Sequence, residues 1–398
     1  MFSSLKSVTY QVPDIDRAKQ WYREILATEP VLDSPFYVKF VIGEAALTLV
    51  PAANGAPHLD EGTVAYWGVE NIEVAYRRLL DCGATSHAEI SSSLNIRIAR
   101  VVDPFGNVIG LTDTLTDAKK GAVENQPSES AMTVAFCRAL AALEEQAERR
   151  GPDYLAEIFL TEDRRRPLRD RTSREWVIQK LVTPELYGYF KARTVYLDDI
   201  FAQALQENLP QIVFLGAGYD SRAYRFRELI QETRIFELDI QPTQQRKKEL
   251  LRQANVPIPE HVAFVPINFK TEPIGAELSK AGFDQQQRTL FIWEGVTYYL
   301  PLEAIDDTLQ AIKLISPAGS TVCFDYMTAP VPSAYTAEPF QFWIAPEKIE
   351  AFLAERGYSL VDHLLPEEIE QNYLTLADGS VTGKTLPFFC FARSVVME

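Results

Sequence analysis

The pattern of apolar and polar positions in this 398-residue chain divides it into two halves of different character. Residues 5–113 carry short stretches of alternating apolar and polar residues (7–12, 37–42, 46–50, 64–69, 96–102 and 108–112). These read as half-buried strands, because successive side chains on a strand point to opposite faces. Val12-Pro-Asp-Ile-Asp-Arg-Ala18 leads into an amphipathic helix with Trp21 and Tyr22, and Val69-Glu-Asn-Ile-Glu-Val-Ala75 repeats that pattern 57 residues on, from 12 to 69. The repeat predicts two βαβββ modules over residues 1–115. Asp103-Pro-Phe-Gly-Asn107 supplies a tight turn before the last strand.

The polar, Gly- and Pro-containing stretch 116–130 reads as a linker to a second domain, 131–398. Helical spacing predicts helices over 131–149 and 185–205, a helical part that precedes a sheet core from 206 onward. There, apolar strands at 212–215, 234–239, 261–267, 289–293 and 320–326 alternate with helices at 244–254, 274–281 and 302–315. A helix at 347–356 and strands at 358–363 and 386–394 close the chain. Strands separated by ten-to-fifteen-residue helices predict an α/β fold with a doubly wound, mostly parallel sheet. A ligand then lies at the carboxyl ends of the strands.

The chemistry concentrates at one such end. Ile212-Val-Phe-Leu-Gly-Ala-Gly-Tyr-Asp-Ser-Arg222 is a buried strand running into a turn through Gly216, Ala217 and Gly218. About twenty residues on, Phe236-Glu-Leu-Asp239 ends the second strand with Glu237 and Asp239, the position from which an acid takes ribose hydroxyls. The third glycine of the dinucleotide fingerprint is missing, which favours an adenosyl group over a pyrophosphate. Asp220 and Arg222 read either as part of that site or as an ion pair that pins the loop.

Composition removes other classes. A net charge of −16 and a pI near 4.9 oppose nucleic acid, so small molecules are the expected partners. Cys82, Cys137, Cys323 and Cys390 are scattered and read as reduced core residues of a cytoplasmic protein. The start lacks an apolar signal core, and no run reaches the length of a membrane helix. A basic cluster, Arg164 to Arg174, reads as a solvated loop balanced by Asp163, Asp170 and Glu175, or as a dock for an anionic carrier protein.

The repeated N-terminal modules and the Asp-Pro-x-Gly-Asn turn resemble the vicinal oxygen chelate family (glyoxalase I, bleomycin-resistance proteins, extradiol dioxygenases). The resemblance implies a metal held by His and Glu, but Ser7, Val64, Thr48 and Gly110 stand at the matching positions and are not normal ligands. His58 and His87 read as loop histidines, so no metal is expected. The module is left to bind a small molecule, to dimerise or to cover a neighbouring site.

Residues 130–395 resemble the leucine carboxyl methyltransferase family, including its bacterial polyketide O-methyltransferase branch. Arg193-Thr-Val-Tyr, Leu215-Gly-Ala-Gly-Tyr-Asp-Ser-Arg, Phe236-Glu-Leu-Asp and Glu294-Gly-Val-Thr-Tyr-Tyr-Leu-Pro stand in order. The resemblance implies a class I methyltransferase, Rossmann-like, dependent on S-adenosylmethionine. Arg193 would pair with the methionine carboxylate, and Gly216, Ala217, Gly218 and Asp220 would form the loop. Glu237 and Asp239 would lie at the ribose, Asn268 and Phe269 at the adenine, and Glu294 at the amino group or sulfonium. Asn268 replaces the family's usual Asp, though its amide oxygen can still accept from the adenine amino group. Tyr298 and Tyr299 are expected to line the acceptor pocket. The expected activity is O-methylation of a small carboxylate or hydroxyl, free or carrier-bound. The alternative is a metal-independent binding protein with a degenerate methyltransferase domain.

Overall fold

A computed structural model describes residues 4–12, 14–26, 28–42, 45–51, 63–69, 71–81, 83–93, 96–102, 108–114, 127–269, 271–330 and 340–398. The Asp103–Asn107 turn, His58, Cys82 and most of the polar linker lie outside them. The chain divides into two compact units, Met1–Lys120 with Arg169–Trp176, and Gly121–Leu168 with Val177–Glu398.

The first unit follows β1 (Ser4–Val12), α1 (Ile15–Leu26), β2 (Leu32–Ser34), β3 (Tyr37–Ile42) and β4 (Ala45–Pro51), then β5 (Thr63–Gly68), α2 (Ile72–Asp81), β6 (Thr85–Ser93), β7 (Ile96–Val102) and β8 (Val108–Thr114). The eight strands form one sheet in the order β2-β3-β4-β1-β5-β8-β7-β6. β1 runs parallel to β4 and β5 parallel to β8, and the two modules meet where β1 and β5 pair antiparallel. The alternation read from sequence decides which face is covered. Val38, Phe40, Leu47 and Leu49 pack with Ile15 in one small core, and Val69, Ile72, Ala75, Ala99 and Leu111 form another. The short β2 and the serine-rich β6 carry no such alternation and are edge strands that the sequence pattern missed.

The second core is closed by charge as well as by apolar contact. Buried Arg97 makes a two-pronged pair with Asp113 directly across the sheet, Nε to Oδ1 at 2.8 Å and Nη2 to Oδ2 at 2.6 Å, and also bonds Glu73. Asp113 Oδ2 accepts from the Ile72 amide at 3.0 Å, satisfying a donor at the start of α2. On the sheet, Tyr66 pairs with Gly110, and a Cβ on Gly110 would lie 2.6 Å from the Tyr66 ring. The aromatic ring therefore occupies the space beside Gly110, one of the positions where the resemblance would place a metal ligand. Among the described residues, no cluster of His, Cys, Asp or Glu could hold a metal ion.

The second unit begins with α3 (Glu129–Ala142), capped by the Ser128 hydroxyl, which accepts from the Ala131 amide. The short helix α4 (Glu162–Arg165), and α5 (Arg171–Val177), which belongs to the first unit except for its last residue, precede the long α6 (Pro184–Gln206). Then come β9 (Gln211–Leu215), α7 (Arg222–Arg225), β10 (Arg234–Asp239), α8 (Gln241–Gln253), β11 (Val262–Pro266), α9 (Ile274–Lys280) and β12 (Thr289–Trp293). The chain ends with α10 (Leu302–Ile315), β13 (Thr321–Met327), α11 (Ile349–Ala354), β14 (Tyr358–Leu364), α12 (Pro366–Tyr373) and β15 (Phe389–Val396). The sheet order is β11-β10-β9-β12-β13-β15-β14. Its first five strands are parallel, and β15 runs antiparallel to both neighbours. This is the doubly wound, mostly parallel α/β fold expected. The strand order reverses between β9 and β12, and a ligand crevice belongs at that switch point.

The 131–149 helix is shorter than expected, because α3 ends at Ala142 and a separate 3-10 turn spans Ala147–Arg149. Cys137, Cys323 and Cys390 are buried and unpaired. No described helix is long and apolar enough to cross a membrane. The basic cluster is held within the chain: Arg164 pairs with Glu129 at 2.6 Å, Arg165 donates to the Glu157 and Ile158 carbonyls, and Arg171 pairs with Glu175 at 2.6 Å.

Candidate active site

After β9 the chain turns through Gly216 at φ +77° and Gly218 at φ +47°, conformations that L side chains rarely adopt. The amides of Gly216 and Ala217 both donate to the Leu238 carbonyl, at 3.0 and 2.8 Å, which ties the loop to β10. A Cβ would come 2.8 Å from Val296 at Gly216 and 2.9 Å from Ala131 at Gly218, so glycine is required by space as well as by backbone. The Gly218 amide donates to Asp239 Oδ2 at 2.6 Å and the Ile240 amide to Oδ1 at 2.7 Å. Burial raises the Asp239 pKa, while these two amides draw it down. A bond from the Thr243 side chain draws it down as well, and a carboxylate oxygen can accept more than one donor.

Glu237 is not brought to that ligand face. It is buried, accepting from Lys247 Nζ at 2.7 Å and from the Tyr224 hydroxyl at 3.1 Å. Asn268 and Phe269 follow the end of β11 and are half-buried. The Asn268 amide donates to Glu272 at 2.7 Å, and Phe269 packs on the main core.

Glu294 lies just past β12, at the centre of a continuous ladder of buried charges. It accepts from Arg222 Nη1 at 2.7 Å and from Arg193 Nε at 3.1 Å. Arg222 also bonds Asp220 and pairs with Asp198 at 2.8 Å, so the loop-pinning ion pair anticipated for Asp220 is present. Asp198 passes to Arg225 at 2.6 Å, Arg225 to Asp153 at 3.4 Å, and Asp153 to Arg138 at 3.6 Å. On the other side Arg193 Nη1 pairs with Asp325 at 2.7 Å. Burial opposes ionisation of Glu294, but Arg222 and Arg193 prevail and hold its pKa at about 2.

The ladder contains four guanidinium groups (Arg138, Arg193, Arg222, Arg225) and five carboxylates (Asp153, Asp198, Asp220, Glu294, Asp325), one negative charge in excess. It also holds unused donors. Arg193 Nη2 and Arg138 Nε are buried without a hydrogen-bond partner among the described residues, and Arg138 Nη1 has only its long 3.6 Å pairing with Asp153. An unpaired buried donor is costly, so this side of the ladder suits an anionic ligand group.

Asp325 and Arg138 are absent from the sequence-based set. Asp325 could have been found as a lone acid in the apolar run of β13, and Arg138 as a lone cation among the small apolar residues of α3. Asp325 also accepts the Tyr189 hydroxyl, and its Oδ1 takes the Gly295 amide at 2.6 Å. Tyr298 is buried with its hydroxyl 3.4 Å from Arg193 Nη1, and its ring lies 4.8 Å from that of half-buried Tyr299. Burial, with Asp325 adding to it, pushes the Tyr189 and Tyr298 hydroxyls well above the usual tyrosine pKa.

The family model for leucine carboxyl methyltransferase matches residues 131–313, and that for the Glyoxalase/Bleomycin resistance protein/Dioxygenase superfamily matches residues 4–111. A Bacillus subtilis protein, YktD, provisionally named an S-adenosyl-L-methionine-dependent methyltransferase, is 31% identical over 216 residues, 50% of this chain and 69% of its own. A similarly named Frankia alni protein is 32% identical over 213 residues, 52% of this chain and 71% of its own. The chain belongs to the leucine carboxyl methyltransferase family. The solved magnesium protoporphyrin IX methyltransferase of Synechocystis with bound SAH aligns over 58% of this chain and 91% of its own, at 12% identity and a TM-score of 0.36, a likeness too loose to carry an inference.

S-adenosylmethionine is the cofactor of this family member, and the residues present fit it. The cofactor carries a sulfonium and an ammonium against one carboxylate, a net positive charge that complements the excess negative charge of the ladder. The orphaned Arg193 and Arg138 donors suit its carboxylate, Glu294 suits the cationic groups, and Asp239 beside the glycine loop suits the ribose hydroxyls.

Proposed function

We propose that the protein transfers the methyl group of S-adenosylmethionine to an ionised oxygen of a small molecule, a carboxylate or an acidic phenol. The observation that supports this acceptor is the state of the titratable groups around Glu294. Glu294 is held ionised between two arginines, and a group with a pKa near 2 is a poor base at neutral pH. The Tyr189 and Tyr298 hydroxyls stay protonated. His363 bonds the Tyr326 hydroxyl at 2.7 Å, and His261 precedes β11. An acceptor that arrives already deprotonated needs none of them.

Bound S-adenosylmethionine supplies an electrophilic methyl carbon on a sulfonium. Arg193 and Arg138 would hold its carboxylate, Asp239 and the glycine loop its ribose, and Asn268 with Phe269 its adenine. Glu294 would face its cationic end. The protein's task is then to place the acceptor oxygen in line with the carbon–sulfur bond. The new oxygen–carbon bond forms as the carbon–sulfur bond breaks, and no proton is lost when the acceptor is a carboxylate. Positioning of this kind has effective molarities on the order of 10⁵ M or more.

The test is radiolabelled methyl transfer from S-adenosylmethionine to a panel of carboxylic acids, phenols and alkyl alcohols. Transfer to acids and acidic phenols is expected, with base-labile methyl esters from the acids. Transfer to alkyl alcohols alone would overturn the reading.

A further inference from the structure

Six aromatic rings cluster beside Arg193, which donates toward the Tyr189 and Tyr298 hydroxyls. Tyr298 meets Phe340 edge-on at 5.5 Å and Phe389 edge-on at 5.2 Å. Tyr299 lies 5.4 Å from Phe340, and Phe388 lies 5.2 Å from Phe389. Phe389 stacks at 4.3 Å on Tyr189, which bonds Asp325 beside Arg193. The cluster is graded. Tyr298 and Phe389 are buried, at 4% exposure each, whereas Tyr299, Phe340 and Phe388 keep part of their rings open. Phe342, two residues beyond Phe340, is in the main core instead.

The half-open rings are fixed in place. The Gln341 amide donates to the Tyr298 carbonyl at 2.7 Å, and its side-chain Nε2 donates to the Tyr299 carbonyl at 2.6 Å. One residue thereby clamps the backbone of both tyrosines next to Phe340. Pre-set rings that offer faces and edges favour flat partners, which meet them at offset-stacked or edge-to-face geometry without losing conformational freedom.

Resting on the acceptor chemistry proposed above, we propose that the acceptor is a planar, aromatic or conjugated carboxylic acid, with its flat body among Tyr299, Phe340 and Phe388 and its carboxylate toward Tyr298. Arg193 donates toward the Tyr298 hydroxyl oxygen, which leaves the phenolic proton to bond an acceptor oxygen.

Matched acids separate planarity from size: benzoate against cyclohexanecarboxylate, and trans-cinnamate against 3-cyclohexylpropanoate. Calorimetry on the full chain loaded with S-adenosylhomocysteine should show each planar acid binding about tenfold more tightly than its saturated partner, the effect of two ring contacts. Phe340→Ala should erase that preference while leaving affinity for S-adenosylhomocysteine within about twofold. Radiolabelled methyl transfer should follow the same order. Equal binding of flat and saturated acids, or an unchanged preference in Phe340→Ala, overturns the inference even if saturated acids are methylated. A preference for flat acids with transfer only to alkyl alcohols sinks the acceptor reading and leaves the shape of the pocket standing.

Discussion

Arg193 and Asp325 form a buried ion pair, Nη1 to Oδ2 at 2.7 Å, with each side chain 1% exposed. The same carboxylate takes the Gly295 amide through its other oxygen, so one acid fixes both the arginine and the residue after Glu294. A positioning role follows for Asp325. Asp325→Asn keeps the shape and removes the charge, and loss of one member of a buried pair costs about 3 kcal/mol. Chemical denaturation should show that loss, and calorimetry should show at least tenfold weaker S-adenosylhomocysteine binding to the folded variant. An unchanged dissociation constant would show that Arg193 is placed without it.

Asp239→Ala removes the acceptor beside the glycine loop. Hydrogen bonds to a charged group contribute about 1.5–3 kcal/mol each. Loss of the bonds to two ribose hydroxyls should weaken S-adenosylhomocysteine by about 100-fold or more, measured by calorimetry. Asp239→Asn, which keeps one acceptor oxygen, should fall between the variant and the parent.

Acid should unfold the protein partly through Glu294. Its folded pKa, about 2, lies below the ordinary value of 4.5, so its contribution is present in full above pH 4.5 and is lost as pH falls toward 2. Glu294→Gln should flatten the dependence of unfolding free energy on pH by up to one proton in that window. Above pH 5 the variant should be uniformly less stable, because Arg193 and Arg222 lose their shared partner. A slope unchanged between pH 2 and 4.5 would contradict the assignment.

Gly188 lies in α6 five residues before Arg193, and a Cβ there would overlap the Lys384 carbonyl oxygen. Because the obstacle is backbone, Gly188→Ala should cost about 2–3 kcal/mol despite alanine's better helix propensity. Thermal unfolding checks this, with a weaker S-adenosylhomocysteine affinity expected as α6 shifts.

In the first unit, the Tyr66 ring stands against Gly110 where the resemblance would place a metal ligand. Treatment with a chelator followed by gel filtration should leave the melting temperature within about 1 °C, on the view that no metal supports this fold. A fall of several degrees, restored by zinc or iron, would reverse that view.

The parts of the fold with strong local signals were legible in the sequence. The uninterrupted apolar runs of β9 and β12 and the helical period of α10 define their elements, because both faces of a central strand and one face of a helix are buried. β2 and β6 lie at sheet edges and show no sustained apolar–polar alternation, and α12 has only eight residues in which to show a helical pattern. At the site, the glycine turn and Asp239 are local features. The ladder is not, because Arg193 meets Asp325 across 132 positions and Glu294 meets Arg222 across 72, and sequence has no distance between them. Glu237 illustrates the converse limit. It shares a strand with Asp239 at the favoured spacing, and only the positions of Lys247 and Tyr224 reveal that its charge is already satisfied.

The first unit includes Arg169–Trp176, where the Trp176 ring meets Phe36 edge-on at 5.0 Å and its indole N–H donates to the Asp33 carbonyl at 3.3 Å. Translation delivers residues in order, so 48 residues, 121 to 168, must be added before the missing piece arrives. At about 5–20 residues per second the nascent unit waits roughly 2–10 seconds with Phe36 uncovered. Cleavage between residues 115 and 126 would release an N-terminal fragment without part of its own body, and swapping this module into another protein would require the downstream segment to travel with it.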